Sequence, residues 1–92
     1  MARAECGTTF DEGDLMFNYY DMKPVVVGMG DDWNGVVWFQ CRNYDKETAE
    51  PLGSTLLDGS RMCSLEAAVR YGHATQEQVD RFKTTMAETE TA

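Results

Sequence analysis

Basic side chains are scarce in this 92-residue chain. Eight Lys and Arg residues stand against sixteen Asp and Glu residues, so the formal net charge is −8. A protein that binds DNA or RNA through phosphates needs clustered Lys and Arg to release counterions. The composition therefore disfavours a nucleic-acid partner, and an acidic face of this kind would steer the molecule toward a partner protein with a basic surface. The alternative is that the acidic residues only keep the surface soluble.

Long apolar runs are also missing. No stretch approaches the roughly 18 apolar residues that a membrane span requires, and residues 1–10 lack the charged-then-apolar pattern of a signal sequence. We therefore expect a cytoplasmic protein that does not insert into a membrane. The three cysteines (Cys6, Cys41 and Cys63) are an odd number at wide spacing, so no disulfide framework is expected and the thiols should be reduced.

Motifs for metals, cofactors and catalysis are absent as well. The three cysteines and His73 could supply four zinc ligands, but none of them forms the close pair typical of a structural zinc site. We expect no metal and favour buried thiols at Cys41 and Cys63, although the sequence leaves open whether the four residues meet. Gly28-Met29-Gly30 lacks the following helix and the Lys-Ser/Thr of a phosphate loop, so no cofactor is expected. No catalytic residue is assigned, because so small a domain leaves little room for a deep active site.

Alternating apolar and polar residues predict five short strands, over residues 13–20, 23–29, 36–42, 54–57 and 60–63. Residues 31–35 and the pair Asp58-Gly59 are predicted turns, because Asn34-Gly35 and Asp-Gly both favour two-residue hairpins. The charged and turn-forming residues 43–53 predict a long exposed loop.

Two helices are predicted after the strands. Ser64 is the expected N-cap of a helix over residues 65–71, which ends at Gly72, and a capping box begins a second helix over residues 75–86. Residues 87–92 have no hydrophobic pattern and predict a disordered acidic tail, which leaves a single domain over residues 1–86. The fold class is mainly β, either a small SH3-like five-stranded barrel or a curled antiparallel sheet with one or two C-terminal helices.

Aromatic residues are dense between Tyr19 and Tyr44, and carboxylates lie among them. Adjacent Tyr19 and Tyr20 point to opposite faces of a strand, so one of them should be exposed, and Trp33 lies in a predicted turn. Exposed aromatic side chains framed by carboxylates suit an interface for a cationic or Arg-rich segment. The candidate partner-binding residues are Asp14, Tyr20, Asp21, Asp31, Asp32 and Trp33. We expect four other aromatic residues to lie in the core: Phe17, Tyr19, Trp38 and Phe39.

Several short motifs give the chain a family resemblance. They are Gly13-Asp14, the run from Asn18 to Lys23 (Asn-Tyr-Tyr-Asp-Met-Lys), Trp38-Phe39, and the run from Leu57 to Ser64 (Leu-Asp-Gly-Ser-Arg-Met-Cys-Ser). Over roughly residues 5–72 the chain resembles small uncharacterised proteins of bacteriophages and prophages that carry this series. The resemblance implies a phage origin and a small β domain, and it implies no activity. The chain departs from the pattern at Pro24-Val25, where a glycine usually follows the lysine, and at residues 43–53, which replace a tighter turn.

The sequence therefore predicts a small acidic phage-type module that is not an enzyme and that binds a host or phage protein in the host cytoplasm. Its acidic aromatic face would inhibit or modulate a host protein or a defence system. The alternative is a structural or self-assembling virion component, which would form a homo-oligomer through a sheet edge or through the helix over residues 75–86.

Overall fold

Runs of alternating apolar residues, separated by turn-forming pairs, fold into a curled antiparallel sheet with two C-terminal helices packed on it. The computed structural model describes residues 2–3 and 9–91, with side chains for residues 11–89. The strands are β1 (Ala2–Arg3), β2 (Thr9–Phe10), β3 (Leu15–Asn18), β4 (Lys23–Val26), β5 (Gly30–Trp33), β6 (Val36–Tyr44), β7 (Pro51–Asp58) and β8 (Met62–Ser64). A 3-10 turn (Gly59–Arg61) precedes β8, and the helices are α1 (Leu65–Arg70) and α2 (Gln76–Thr91). The predicted fold class, mainly β with C-terminal helices, is confirmed.

Strands β4 and β5 are two halves of one bent strand. Both halves pair with the same edge of β6, and β4 pairs with β3 on its other side. Val26 pairs with Arg42 and Gly30 with Phe39, so four steps on the bent strand match three on β6. Such a mismatch is a β-bulge, which bends and twists the strand. With the two halves counted as one strand, the main sheet is a half-barrel of five strands in the order β8, β3, β4/β5, β6, β7.

Two glycines let the bent strand lie close against β6. A Cβ atom on Gly28 would lie 2.0 Å from the carbonyl oxygen of Gln40, and one on Gly30 would lie 2.8 Å from the ring of Phe39. Neither position has room for a side chain unless its neighbour moves. The Gly28-Met29-Gly30 sequence therefore serves strand packing, which is a common reason for glycine inside a strand.

The two predicted hairpin turns have different outcomes. Asn34 and Gly35 have φ values of 54° and 85°, so the tight turn between β5 and β6 is confirmed, although residues 31–33 before it belong to β5. The prediction at Asp58-Gly59 is wrong. The Asp58 carboxylate accepts a hydrogen bond from the Ser60 N–H at 2.9 Å, which stabilises the 3-10 turn. The chain then leaves β7, and β8 pairs with β3 instead.

The sheet buries side chains on both faces, because successive residues of a strand point to opposite sides. The inner face, inside the curl, carries the inner cluster: Met16, Val25, Val27, Phe39, Cys41, Leu57 and Met62. The outer face, on which the helices pack, carries the outer cluster: Phe17, Val26, Tyr44, Ala49, Cys63, Leu65, Ala67, Ala68, Ala74, Val79, Phe82 and Met86. The sheet therefore forms the middle layer between two small cores.

The predicted loop over residues 43–53 is wrong in its extent. Strand β6 continues through Tyr44 and β7 begins at Pro51, so only residues 45–50 connect the two strands. Tyr44 and Ala49 are buried in the outer cluster, and the Tyr44 ring lies 5.5 Å from that of Phe82 on α2. Because this segment is rich in charged residues, the sequence predicts an exposed loop and does not indicate that Tyr44 and Ala49 are core residues.

Both helices begin as predicted. The Ser64 hydroxyl accepts a hydrogen bond from the Ala67 N–H at 3.0 Å. Thr75 and Gln78 form the reciprocal capping box, with the Gln78 N–H donating to the Thr75 hydroxyl at 3.1 Å and the Thr75 N–H to the Gln78 side chain at 3.0 Å. Gly72 has a φ of 79°, as expected for a glycine after a helix.

Helix α2 continues to Thr91, five residues beyond the end at residue 86 that the sequence predicts. Alanine and glutamate in this segment favour helix even without a hydrophobic pattern. The Thr89 hydroxyl also donates to the Thr85 carbonyl oxygen at 2.9 Å. Within residues 2–3 and 9–91, neither helix has the length and apolar character needed to cross a membrane.

Candidate partner-binding site

The helices cover only one end of the outer face. On β6, Tyr44 belongs to the outer cluster, whereas Trp38, six residues earlier on the same face, does not. The cross-strand neighbours of Trp38 are Asp31 on β5 and Asp58 on β7. The outer face of β5, β6 and the end of β7 is therefore left without a covering helix.

A groove lies on this uncovered face. It has a volume of about 410 Å³, and its lining residues are Asp31, Trp33, Trp38 and Leu56; we call it the aromatic groove. The exposed fractions of Trp33 and Leu56 are 68% and 62%. Trp38 is only half-buried, so its predicted place in the core is wrong. The reason is that the part of β6 that carries Trp38 extends beyond the helices. Phe17 and Phe39 are buried, which confirms the core prediction for those two residues.

Three of the four predicted site carboxylates already accept hydrogen bonds near their own turns. Asp14, Asp21 and Asp32 are the three acceptors. Their donors are, in the same order, the N–H of Asp11 at 2.8 Å, the side-chain amide of Asn18 at 3.1 Å and the N–H of Gly35 at 3.0 Å. The Asp31 side chain has no hydrogen bond or ion pair within the part of the chain that the structure describes. Asp31 is thus the carboxylate that stays available to a partner.

Tyr20 lies in the turn between β3 and β4 and is 60% exposed. The guanidinium of Arg61 lies 4.7 Å from the centre of its ring, in a cation–π contact. The Nε of Arg61 also lies 3.8 Å from the Asp58 carboxylate. Tyr20, Arg61 and Asp58 form one cluster, the Tyr20 cluster, and its aromatic face and its carboxylate are both matched to a cation from the same chain.

The structure connects the predicted site residues unevenly. Asp31 and Trp33 line the same groove, while Asp32, between them, pairs with Val37 and points to the other face. Tyr20 is linked to the groove through Arg61 and Asp58, since Asp58 pairs with Trp38. Asp14 and Asp21 lie in turns at the ends of β3 and do not line the groove.

Sequence reasoning missed Trp38, Leu56 and Arg61. The signal for Trp38 was present: a two-residue turn at Asn34-Gly35 fixes the register, so that Trp33 must pair with Val36 and Asp31 with Trp38. Leu56 and Arg61 carried no comparable signal, because their neighbours depend on how β7 pairs and on where the chain turns after it.

The cysteines and the histidine are separated by the fold. Cys41 belongs to the inner cluster and Cys63 to the outer cluster, on opposite faces of the sheet. The His73 ring stacks on that of Tyr19, with 5.7 Å between the ring centres, and Cys6 lies outside the described residues. Within the described part of the chain, no three His, Cys, Asp or Glu side chains come together as metal ligands.

Cys41 has the character of a small hydrophobic residue. Burial raises the pKa of its thiol, and a backbone hydrogen bond with Gly28 opposes this rise only in part. The thiol is therefore protonated at neutral pH, whereas a nucleophilic cysteine requires the thiolate.

The fold and the groove define a small, mainly β domain with an exposed aromatic groove. Searches against protein-family models, curated proteins and solved structures return no match for this chain. Its function therefore has to be argued from the groove.

Proposed function

We propose that the chain is a small acidic protein-binding module whose partner docks on the aromatic groove. The observation that supports this proposal is a groove lined by exposed Trp33, half-buried Trp38 and exposed Leu56, on the part of the sheet that neither helix covers. Tryptophan is enriched among the residues that contribute most to binding energy at protein interfaces. Apolar surface clustered in this way marks a binding site far more often than isolated exposed hydrophobic residues do.

The charge of the molecule supports a partner with a basic surface. The net charge is −8, and among the described side chains one carboxylate and no cation line the groove. Opposite charges speed the encounter of two proteins and fix their orientation, while the apolar contacts supply most of the affinity. The proposed partner therefore presents basic side chains around an apolar or aromatic contact.

The test is capture of the partner by tagged protein from a lysate of the cells in which the chain naturally occurs. Wild type, Trp33→Ala and Tyr71→Ala are compared by quantitative mass spectrometry. Tyr71 follows α1 and is 61% exposed, so its variant removes an aromatic side chain of similar exposure away from the groove.

The proposal predicts a protein that wild type and Tyr71→Ala enrich equally and that Trp33→Ala loses. Circular dichroism must show that both variants stay folded, which we expect because both side chains are largely exposed. A protein that all three forms enrich equally would contradict docking on the groove.

Self-assembly is a second candidate, and the edge of β7 favours it. Among the described strands β7 pairs only with β6, so its other edge is open, and residues 52–57 carry no charge. Natural proteins usually protect open edges with charged residues, proline or bulges. A bulge next to Gly53 protects the start of β7, whereas no described strand pairs with the outer edge of residues 54–58, where a second copy could pair.

Light scattering after size-exclusion chromatography tests this second candidate. Ser54 is exposed and pairs with Arg42 on the outer face, so Ser54→Lys places a charge on the edge without disturbing the inner cluster. Self-assembly predicts a dimer or larger species for wild type and a monomer for Ser54→Lys. A wild-type monomer at millimolar concentration would contradict it.

Inhibition of a host protein or defence system by a phage-encoded chain stays a prediction of the sequence. Identification of the captured protein provides its test, through the activity of that protein measured with wild type and with Trp33→Ala.

A further inference from the structure

We propose that the aromatic groove binds the guanidinium group of an arginine side chain on the partner protein. This inference rests on the proposed function, since it names the chemical group that the binding face recognises. Two tryptophan rings and one carboxylate line the groove, and no cation does so among the side chains that the structure describes. A second cluster in the same molecule shows what such a pair of groups binds.

The Tyr20 cluster shows how this chain satisfies an exposed aromatic ring beside a carboxylate. The Arg61 guanidinium lies over the Tyr20 ring at 4.7 Å, and its Nε faces the Asp58 carboxylate at 3.8 Å. A guanidinium can fill both roles at once, because its flat face stacks on a ring while its N–H groups point outward to a carboxylate.

The aromatic groove repeats the ring and the carboxylate without the cation. Asp31 and Trp38 are direct cross-strand neighbours, and Trp33 lies on the same face two residues after Asp31. Indole is the strongest of the aromatic side chains in cation–π contacts, and two indoles here stand in the place of one phenol ring. No hydrogen bond or ion pair occupies Asp31 within the described residues.

Two arginines whose side chains are described, Arg61 and Arg42, do not line the groove. Arg61 is held by Asp58 and Tyr20. Arg42 lies on the outer face of β6, four residues from Trp38, which is about 13 Å along a strand. Among the described side chains no guanidinium lines the groove, so the guanidinium that we propose belongs to another molecule.

Nuclear magnetic resonance provides a direct test, because the chain has two tryptophans and both line the groove. Each indole Nε1–H gives its own signal. The probes are three blocked pentapeptides that differ only at the central residue: Gly-Gly-Arg-Gly-Gly, the same peptide with lysine, and the same peptide with citrulline, the uncharged analogue of arginine. Each is titrated into isotope-labelled protein at low salt.

We expect the arginine peptide to shift both indole signals and to bind about threefold or more tightly than the citrulline peptide, since both the cation–π contact and the ion pair need the charge. The lysine peptide should bind more weakly than the arginine peptide. Equal affinity for arginine and citrulline, equal affinity for arginine and lysine, or unshifted indole signals at millimolar peptide would each overturn the proposal.

Two variants test whether Asp31 supplies the carboxylate that binds the guanidinium. Asp31→Asn should weaken binding of the arginine peptide about two- to fivefold. Glu12→Gln, which removes one negative charge from the turn before β3, should leave the affinity unchanged. Equal weakening by both variants would reduce the effect to overall charge and would overturn the role of Asp31.

The capture experiment distinguishes a failure of this inference from a failure of the proposed function. A captured partner that depends on Trp33 but binds Asp31→Asn as well as wild type would keep the groove as the binding face and would refute the guanidinium. A partner that does not depend on Trp33 would refute both.

Discussion

The Tyr20 cluster and the aromatic groove are built from the same kinds of residue but reach opposite states. In the Tyr20 cluster, Arg61 supplies the cation, and its neighbours are satisfied within the molecule. In the groove, two tryptophans and Asp31 have no cation from the described part of the chain. The composition of an acidic aromatic surface therefore does not by itself identify a binding site. The partners that each side chain already has decide which part of the surface stays available.

The two regions are also neighbours. Asp58, which pairs with Arg61, lies directly opposite Trp38 across β6 and β7. Tyr20, Asp31 and Trp33 of the sequence-based site therefore lie along one connected surface, which the structure divides into a part with a cation and a part without one. Asp14, Asp21 and Asp32 do not line the groove.

Gly28→Ala should destabilise the scaffold of the groove most strongly. A Cβ atom at this position would lie 2.0 Å from the Gln40 carbonyl oxygen, which belongs to the backbone and cannot rotate away. We expect a loss of about 3 kcal/mol in the free energy of unfolding, the upper end for overpacking. Chemical denaturation monitored by tryptophan fluorescence measures this loss.

Met29→Ala is the matched control, because Met29 is the next residue and is 70% exposed. Its stability should stay within about 0.5 kcal/mol of wild type. Similar midpoints for Gly28→Ala and Met29→Ala would show that the close approach of the bent strand to β6 is not required.

Arg61→Ala should convert the part of the surface with a cation into a part without one. The variant removes an exposed cation–π contact and a partly exposed ion pair, so we expect a loss of about 1 kcal/mol in stability. It also frees Tyr20 and Asp58 for a cation from outside. A second set of signals, around Tyr20, should then shift when the arginine peptide is titrated.

Arg61→Lys keeps the charge and should retain part of the stability while leaving Tyr20 covered. If the arginine peptide shifts no signals near Tyr20 in Arg61→Ala, the Tyr20 cluster would no longer serve as a template for the groove.

Asp45→Asn should have the smallest effect, and that effect should depend on pH. Backbone N–H groups of Thr48 and Glu47 hold the pKa of the Asp45 carboxyl below its ordinary value. A lowered pKa in the folded state contributes stability above the ordinary pKa of the carboxyl, and this contribution disappears as the pH falls through the lowered value. The variant should therefore be slightly less stable than wild type at pH 7, and the gap should close below about pH 4.

Asp31→Asn is the counterpart, because Asp31 has no such partners in the described residues. Its stability at pH 7 should match that of wild type. Thermal unfolding at a series of pH values checks both variants, and a gap of equal size for Asp31→Asn would contradict the distinction between occupied and free carboxylates.

Much of the fold could be predicted from motifs of residues that are close in sequence. The caps at Ser64 and Thr75 and the turn at Asn34-Gly35 depend on residues that are close in sequence, and all three predictions are confirmed. The Asp58-Gly59 turn failed because its alternative, a 3-10 turn that carries β8 to β3, depends on a strand more than 40 residues away in the sequence.

The site was harder to predict for the same reason. Tyr20 and Trp33 were selected for expected exposure, which the structure confirms for both side chains. Exposure does not reveal that Arg61 covers the Tyr20 ring, because that contact spans 41 residues of sequence. The register of the β5–β6 hairpin could have placed Asp31 opposite Trp38. The position of Leu56 in the groove could be predicted only if the pairing of β7 with β6 were known.

The account depends most directly on the relative importance of Trp33 and Tyr20 for partner binding. Once the captured protein is purified, isothermal titration calorimetry can compare wild type, Trp33→Ala and Tyr20→Ala. We predict that Trp33→Ala raises the Kd by about 30-fold or more, as expected for a residue at the centre of an interface, and that Tyr20→Ala changes it by less than about threefold. A loss of affinity in Tyr20→Ala equal to or greater than that in Trp33→Ala would contradict the account.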